Sequence, residues 1–424
     1  MVYYGLILFL FLEYVRPNNF FPALDALHLQ SVVLVGISLG AFLRKGTVKS
    51  SHILQSLNTR LIIFFLFLIV VSFFTADVRM YVLDVLKAVV GYCLVYFVIR
   101  KECDNLNKIK GVFATLVIAN LAVGLLTPEI LLEADVRHYL ASGSFLGDSN
   151  DFALSVNIVI PLCLFLLIDA KTVLRRLFCT GTFVVLTLAV IGTQSRGGAV
   201  ALACVGLYYW IKSERKFIGV IGIAFTIFLI VSFAPPQFFE RMDTMRQTGD
   251  QMEGSAQGRI LAWGSAVRMA ADHPFVGVGA GHFAVKHGVE YRPAGFSRTE
   301  LPWQTAHSIY FLALGELGLP GIGFLLAILI LNFVAGERVI SKMRERSKKM
   351  SRVDMHLAIS LNASLIAYAV GGAFLSALYP PHLYILAALW ASGRDLLLTN
   401  NELEESVALA PKDFGRNCCD GVFK

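Results

Sequence analysis

Three basic residues, Arg196, Arg259 and His307, are of types that handle anions or protons, and the first stands where charge is scarce. Between Arg176 and Lys212 lie 35 residues, and Arg196 is the only charged one among them. A helix of that length would run about 52 Å, well beyond a hydrocarbon core of about 30 Å. The chain must therefore turn back, and Thr193-Gln194-Ser195-Arg196-Gly197-Gly198 is the turn. Arg196 then sits at the outer membrane face, at the tip of a helical hairpin. Two readings fit a lone cation there: a functional group, or an arginine snorkelling to lipid phosphate. The second feature is Gly258-Arg259-Ile260-Leu261-Ala262-Trp263, followed by Ala266, Val267 and Ala270. Its apolar spacing predicts a short amphipathic helix with Ser255 as N-cap, lying along the membrane surface with Trp263 at the interface. His273-Pro274 ends that helix. Gly277, Gly279 and Gly281 follow as a tight backbone bend against neighbouring helices, not a nucleotide fingerprint, since no strand precedes them.

The third feature is His307, in Pro302-Trp303-Gln304-Thr305-Ala306-His307-Ser308. A neutral imidazole, with an ordinary pKa of about 6.5, can take the proton of a hydroxyl nucleophile. Capping of the next helix is the structural alternative. Glu316 would lie about 180° around that helix and roughly 13 Å along it, too far to orient His307, so it reads as a packing or gating partner. Asp148, Asn150 and Asp151 form a small cluster that could hold Mg²⁺ or Mn²⁺. Helix capping accounts for them more simply. No metal and no cofactor is expected.

These residues need a membrane scaffold to position them. The hydrophobic fraction is 56% and the charged fraction 16%, against about 25% charged in ordinary soluble domains. The expectation is an all-α polytopic transmembrane bundle. Apolar runs predict spans near 2–15, 31–43, 61–75, 82–99, 109–127, 151–168, 176–194, 197–212, 217–234, 307–334, 356–377 and 379–398. The start, Met1-Val2-Tyr3-Tyr4, has no basic n-region and reads as a retained first span. With the N-terminus cytoplasmic, the inner loops hold 21 Lys and Arg, the last of them 335–355, and the short outer loops hold four: Arg16, Arg79, Arg137 and Arg196. The positive-inside rule then places both termini in the cytoplasm.

One outer segment, 235–306 between spans nine and ten, is a long hydrophilic insertion within the membrane domain 1–398, and loops of that length are usually functional. The tail 399–424 is expected to be loose. No cysteine falls on the oxidising side, so no disulfide framework is expected. The net charge of +7 comes from short loop clusters rather than a basic face with stacking aromatics, which argues against nucleic-acid binding. A transporter would place ionisable groups near the bilayer midplane. Here they gather at the outer face, which favours an enzyme.

In their order on this topology, Ser195-Arg196-Gly197-Gly198, Gly258-Arg259 with Trp263, His273-Pro274 with Gly277-Val278-Gly279, and His307 with Glu316-Leu317-Gly318 resemble the bacterial O-antigen ligase and polymerase superfamily. These motifs cover roughly 195–325. Ser308 stands where relatives often carry Asn. The resemblance implies inverting transfer of a glycan from undecaprenyl pyrophosphate to an acceptor hydroxyl at the periplasmic face of the inner membrane. It implies that Arg196 and Arg259 hold the pyrophosphate and His307 serves the acceptor. Trp263 and Glu316 join the arginines as substrate-contacting candidates. The acceptor implied first is lipid A-core, and a growing glycan repeat or a protein hydroxyl stands as the alternative.

Overall fold

The computed structural model describes residues 1–44, 50–129, 145–214, 216–233, 254–292, 304–345 and 352–409. Among them every regular element is helical. In chain order these are α1 (Val2–Val15), α2 (Leu29–Leu43), α3 (Ser50–Gln55), α4 (Leu57–Thr75), α5 (Arg79–Glu102), α6 (Leu106–Leu126) and α7 (Ser149–Asp169). There follow α8 (Val173–Gly192), α9 (Arg196–Lys212), α10 (Lys216–Phe233), α11 (Gly254–Asp272), α12 (Phe283–Val289), α13 (Ile309–Glu345), α14 (Arg352–Gly372) and α15 (His382–Leu409). Each apolar run of the sequence overlaps one of these helices, although the run 356–377 outlasts α14, which ends at Gly372. Eight helices among the described residues are long and apolar enough to cross a membrane. By contrast α1 has 14 residues and α9 has 17, short of the roughly 20 that a straight span needs.

Helix starts follow local chemistry. The side chains of Asn105, Asp148, Thr172 and Ser195 each accept from a backbone N–H in the first turn of α6, α7, α8 and α9, satisfying donors that the helix cannot. Asp148 Oδ1 takes the Asn150 N–H at 2.8 Å, so the acidic cluster of the sequence is a helix cap.

Central to the bundle is α14, packed on α7, α9, α13 and α15, while α11 lies on α13 and α1 lies on α2 and α6. Small residues permit the close approach: a Cβ on Gly371 would come 2.7 Å from Leu154 Cδ1, and one on Gly393 2.9 Å from Leu361 Cδ1. Buried amides join helices side to side. Asn58 and Asn332 exchange two hydrogen bonds of 2.9 Å between α4 and α13, and Asn58 Nδ2 also reaches Ala387 O on α15 at 3.2 Å.

Four features depart from the expected map. The helix over 307–334 is broken, because Gly318 takes φ 66 and splits α13 ahead of Pro320; proline lacks the N–H to continue the ladder and crowds the preceding turn. Downstream, α13 runs on to Glu345 and so takes up half of the expected 335–355 loop. The tail is not wholly loose, since α15 continues to Leu409 through Leu- and Glu-rich sequence that favours helix. Finally, α11 begins at Gly254, so Ser255 lies inside the helix and not before it. Of the insertion 235–306, residues 254–292 and 304–306 are described; 235–253 and 293–303, which include Pro302 and Trp303, lie outside the described residues.

Candidate active site

Arg196 occupies the first turn of α9, directly after the expected hairpin. The α8–α9 turn is held by Gln194 at φ 51, by Thr193 Oγ1 donating to Val190 O at 2.6 Å, and by the Ser195 cap on Gly198 N at 3.1 Å. The two glycines that follow Arg196 have a steric purpose. A Cβ at Gly197 would come 2.9 Å from Phe374 Cβ, and one at Gly198 2.9 Å from Ala153 Cβ. Gly198 O in turn accepts from the fully buried Asn157 Nδ2 at 3.0 Å. The base of Arg196 is thus wedged between α7 and the connection 373–381 that joins α14 to α15. The positive end of the α9 dipole adds to the charge of the guanidinium.

His307 lies two residues before the first residue of α13. It precedes the helix in left-handed backbone, φ 47, a conformation that costs a non-glycine residue about 1–3 kcal/mol and persists only where the surroundings impose it. Those surroundings can be named. The His307 N–H donates to Ser376 Oγ at 2.9 Å, and Ser376 Oγ also pairs with Thr305 Oγ1 at 2.9 Å. The preceding carbonyl, Ala306 O, accepts from Trp263 Nε1 at 3.0 Å. Trp263 stacks on Phe311 with ring centroids 4.9 Å apart and planes inclined by 11°. The sequence placed Trp263 at the lipid interface. The half-buried indole also clamps the His307 segment, where its N–H finds an acceptor.

Arg259 is carried by the same clamp. Four positions before Trp263 on α11, it directly follows Gly258, whose carbonyl accepts from Gln304 Nε2 at 2.7 Å. A Cβ at Gly258 would lie 2.9 Å from that same nitrogen, so α11 meets 304–307 at two points, about one and a half turns apart, with Arg259 between them. On the other side, Phe374 touches the Arg196 turn and Ser376 touches His307. Two residues of chain span at most about 7 Å. The segments bearing Arg196, Arg259 and His307 therefore converge, and all three residues are half-buried.

Glu316 has a different task. It is 2% exposed, and its two carboxylate oxygens accept from Gly281 N (2.9 Å), Phe283 N (2.9 Å) and Tyr379 Oη (2.5 Å). The expected separation from His307 along one continuous helix gives way to a start at Ile309, with His307 outside it. Packing, one of the two roles expected, is what these bonds provide.

Glu316 lies beside the break in α13. There the glycine run docks by three backbone hydrogen bonds: Val278 N to Gly315 O at 2.9 Å, Gly279 N to Glu316 O at 3.0 Å, and Leu319 N to Pro274 O at 2.8 Å. Gly277 has φ 62 and Gly318 φ 66. A Cβ on Gly277 would collide with the Glu316 carbonyl, and one on Gly318 would lie 2.5 Å from Pro274 O. The tight bend expected against neighbouring helices is present.

Three further contacts fasten the segment after α11 to the α4–α5 turn, and none had a signal in the sequence. His282 Nε2 accepts from Val78 N at 3.0 Å, Ala280 N donates to Ser72 Oγ at 3.2 Å, and Lys286 on α12 pairs with Asp77 (2.5 Å) and Glu290 (2.6 Å). The hydrogen bond from Lys286 holds the Asp77 carboxyl below the usual carboxylate range. Between α11 and α12, His287 Nδ1 lies 2.9 Å from Ser265 Oγ. Burial first, then the charges of Arg268 and Arg292, push its ring below the ordinary histidine value. It is a buried packing residue beneath α11.

Ser376 and Tyr379 are the site neighbours that sequence reasoning missed. Both lie in a short connection whose composition carries no catalytic pattern, and their partners are 63 to 71 positions away.

Residues 181–326 match the model of the protein family described as O-antigen ligase, while no curated protein matches the chain. The matched stretch holds Arg196, Arg259, Trp263, His307 and Glu316 together, and it supports the O-antigen ligase and polymerase superfamily as the family of this chain.

Proposed function

We propose that this chain is a lipid-linked-glycan glycosyltransferase that ligates a glycan from undecaprenyl pyrophosphate onto a hydroxyl of lipid A-core. In this reading the twelve helices of the sequence map all span the inner membrane, both termini face the cytoplasm, and the site faces the periplasm. The observation that carries the reading is the convergence of two arginine-bearing segments with a histidine held in strained backbone. Such outliers gather at functional sites.

The chemistry asks for what those side chains supply. The acceptor oxygen attacks the anomeric carbon from the face opposite the pyrophosphate, which inverts the configuration. The bond from that carbon to the phosphate oxygen breaks, and pyrophosphate leaves with the electron pair. Arg196 and Arg259 offer fixed charge and paired N–H donors where negative charge grows. Pyrophosphate is a good leaving group and needs no general acid, so this route requires neither a metal nor a cofactor. His307, as the neutral ring, takes the hydroxyl proton. Trp263 and Glu316 support the site by holding its backbone, Trp263 at the Ala306 carbonyl and Glu316 at the docked glycine run.

Purified protein incubated with lipid-linked glycan and, separately, with lipid A-core, a glycan repeat acceptor or an acceptor protein tests the proposal. Transfer to lipid A-core is the expected product. Chain elongation without it would make the protein a polymerase, and no transfer to any acceptor would remove the enzyme reading. The orientation has its own test. Cysteine placed within 335–355 should label only from the cytoplasm and cysteine within 240–255 only from outside; reversed labelling would move Arg196 off the donor side.

A further inference from the structure

We propose that Ser376 is a positioning residue for His307, and that the α14–α15 connection sets the spacing between histidine and arginine. The inference rests on the reading of His307 as the base and goes beyond it, to a residue outside the stretch that matches the family.

Left-handed backbone at a histidine must be imposed. On the upstream side of His307 the Trp263 indole fixes the Ala306 carbonyl, and on the downstream side Ser308 O takes the Leu312 N–H at 2.9 Å and starts the helix. The His307 N–H between them is directed by Ser376 Oγ at 2.9 Å. That hydroxyl is itself held. Thr305 Oγ1 lies 2.9 Å from it, and the next residue, Ala377, accepts at its carbonyl from the fully buried Tyr368 Oη at 2.9 Å.

The same connection begins against the arginine turn, where Phe374 fills the space left by Gly197. It continues to Tyr379, which donates to Glu316. One short segment therefore touches the Arg196 turn, the His307 backbone and the anchor of the glycine run. Losing the Ser376 hydroxyl frees the His307 peptide to relax from φ 47. A base displaced by about 1 Å from its hydroxyl loses rate, while donor held by the arginines is bound as before.

The test measures kcat and KM for the lipid-linked donor on full-length Ser376→Ala, Ser376→Thr, Thr305→Val and His307→Gln, with thermal unfolding of each. Ser376→Ala should lower kcat about tenfold or more with KM within about twofold, and Ser376→Thr, which keeps the hydroxyl, should recover most of it. A merely structural serine would lower the unfolding temperature without this split. Should Ser376→Ala fail to fold, Thr305→Val decides. It removes the second partner of the hydroxyl, and kcat should fall about threefold at constant KM. The proposal is overturned if Ser376→Ala, or in its absence Thr305→Val, keeps wild-type kcat, or if Ser376→Thr is as slow as Ser376→Ala. His307→Gln separates the two levels: inactive beside a normal Ser376→Ala, it ends the positioning role alone; active, it ends the base assignment on which that role rests.

Discussion

The two ends of the bundle are held together by different chemistry. At the candidate site, irregular backbone does the joining: a broken α13, glycines at positive φ, and main-chain groups of 274–283 and 304–307 bonded to residues far along the chain. About 28 Å further along α13 at helical rise, regular helices are joined by side chains. Glu337 accepts from Tyr208 Oη at 2.6 Å and Asn362 Nδ2 at 3.1 Å, and it pairs with Lys212. Asn362 Oδ1 accepts from Trp390 Nε1 at 3.1 Å. Nearby in the same half of the bundle, the buried Arg100 pairs with Asp395 at 2.7 Å. The contrast teaches that regular helices suffice to hold a bundle together and to carry Arg196 and Arg259, whereas His307 is placed by backbone that leaves the helix. Irregular backbone at membrane depth is tolerated only where protein satisfies it, and here the glycine run supplies that satisfaction.

If this division is right, substitutions at the two ends should separate rate from stability. His307→Ala should lower glycan transfer by at least about 10²-fold, near 2.7 kcal/mol in barrier, with insertion and unfolding temperature close to wild type. Arg196→Lys and Arg259→Lys keep the charge but lose the fork, and each should lower kcat/KM by about tenfold or more. Normal activity in both would mean that charge alone suffices. Gly318→Ala should destabilise the protein by about 1–3 kcal/mol through its left-handed backbone, and more through the collision with Pro274 O. It should also slow transfer per folded molecule, because α11 and the glycine run lose their dock.

At the far end, Glu337→Gln should cost about 1–2 kcal/mol in thermal unfolding with unchanged transfer per folded molecule; a fall in rate as large as that at Gly318 would erase the distinction. The smallest effect belongs to Asp77→Asn. Its carboxyl is lowered by Lys286, so the pair contributes stability at neutral pH that is lost as pH falls through the lowered folded value. Because Asp77 is 61% exposed, the loss should stay below about 1 kcal/mol, and the variant should lack that acid-dependent step in unfolding temperature.

The twelve expected helices were legible as apolar runs, α11 by its apolar spacing, and the α8–α9 hairpin because one arginine interrupts what would otherwise be an impossibly long span, whereas the short α3 and α12 had no such pattern. Glycines at 277, 279 and 281 announced a bend for the same local reason. The break in α13 also had a signal, Gly318-Leu319-Pro320-Gly321, which an apolar run conceals. Other features were not local. The bond of Trp263 to Ala306, 43 positions away, has no local signal. Ser376 and Tyr379 fall within the apolar runs 356–377 and 379–398, which conceal them, and Glu316 declares itself only through the N–H groups of another segment and the Tyr379 hydroxyl.

The most direct test of a single site, with the arginines on the donor and the histidine on the acceptor, measures donor binding and glycan transfer on the same purified preparations. His307→Gln should bind the lipid-linked donor within about twofold of wild type and transfer none of it, whereas Arg259→Lys should lose affinity and transfer together. A His307→Gln protein that transfers glycan at the wild-type rate would contradict the account, because a glutamine can replace a structural hydrogen bond but cannot accept the proton.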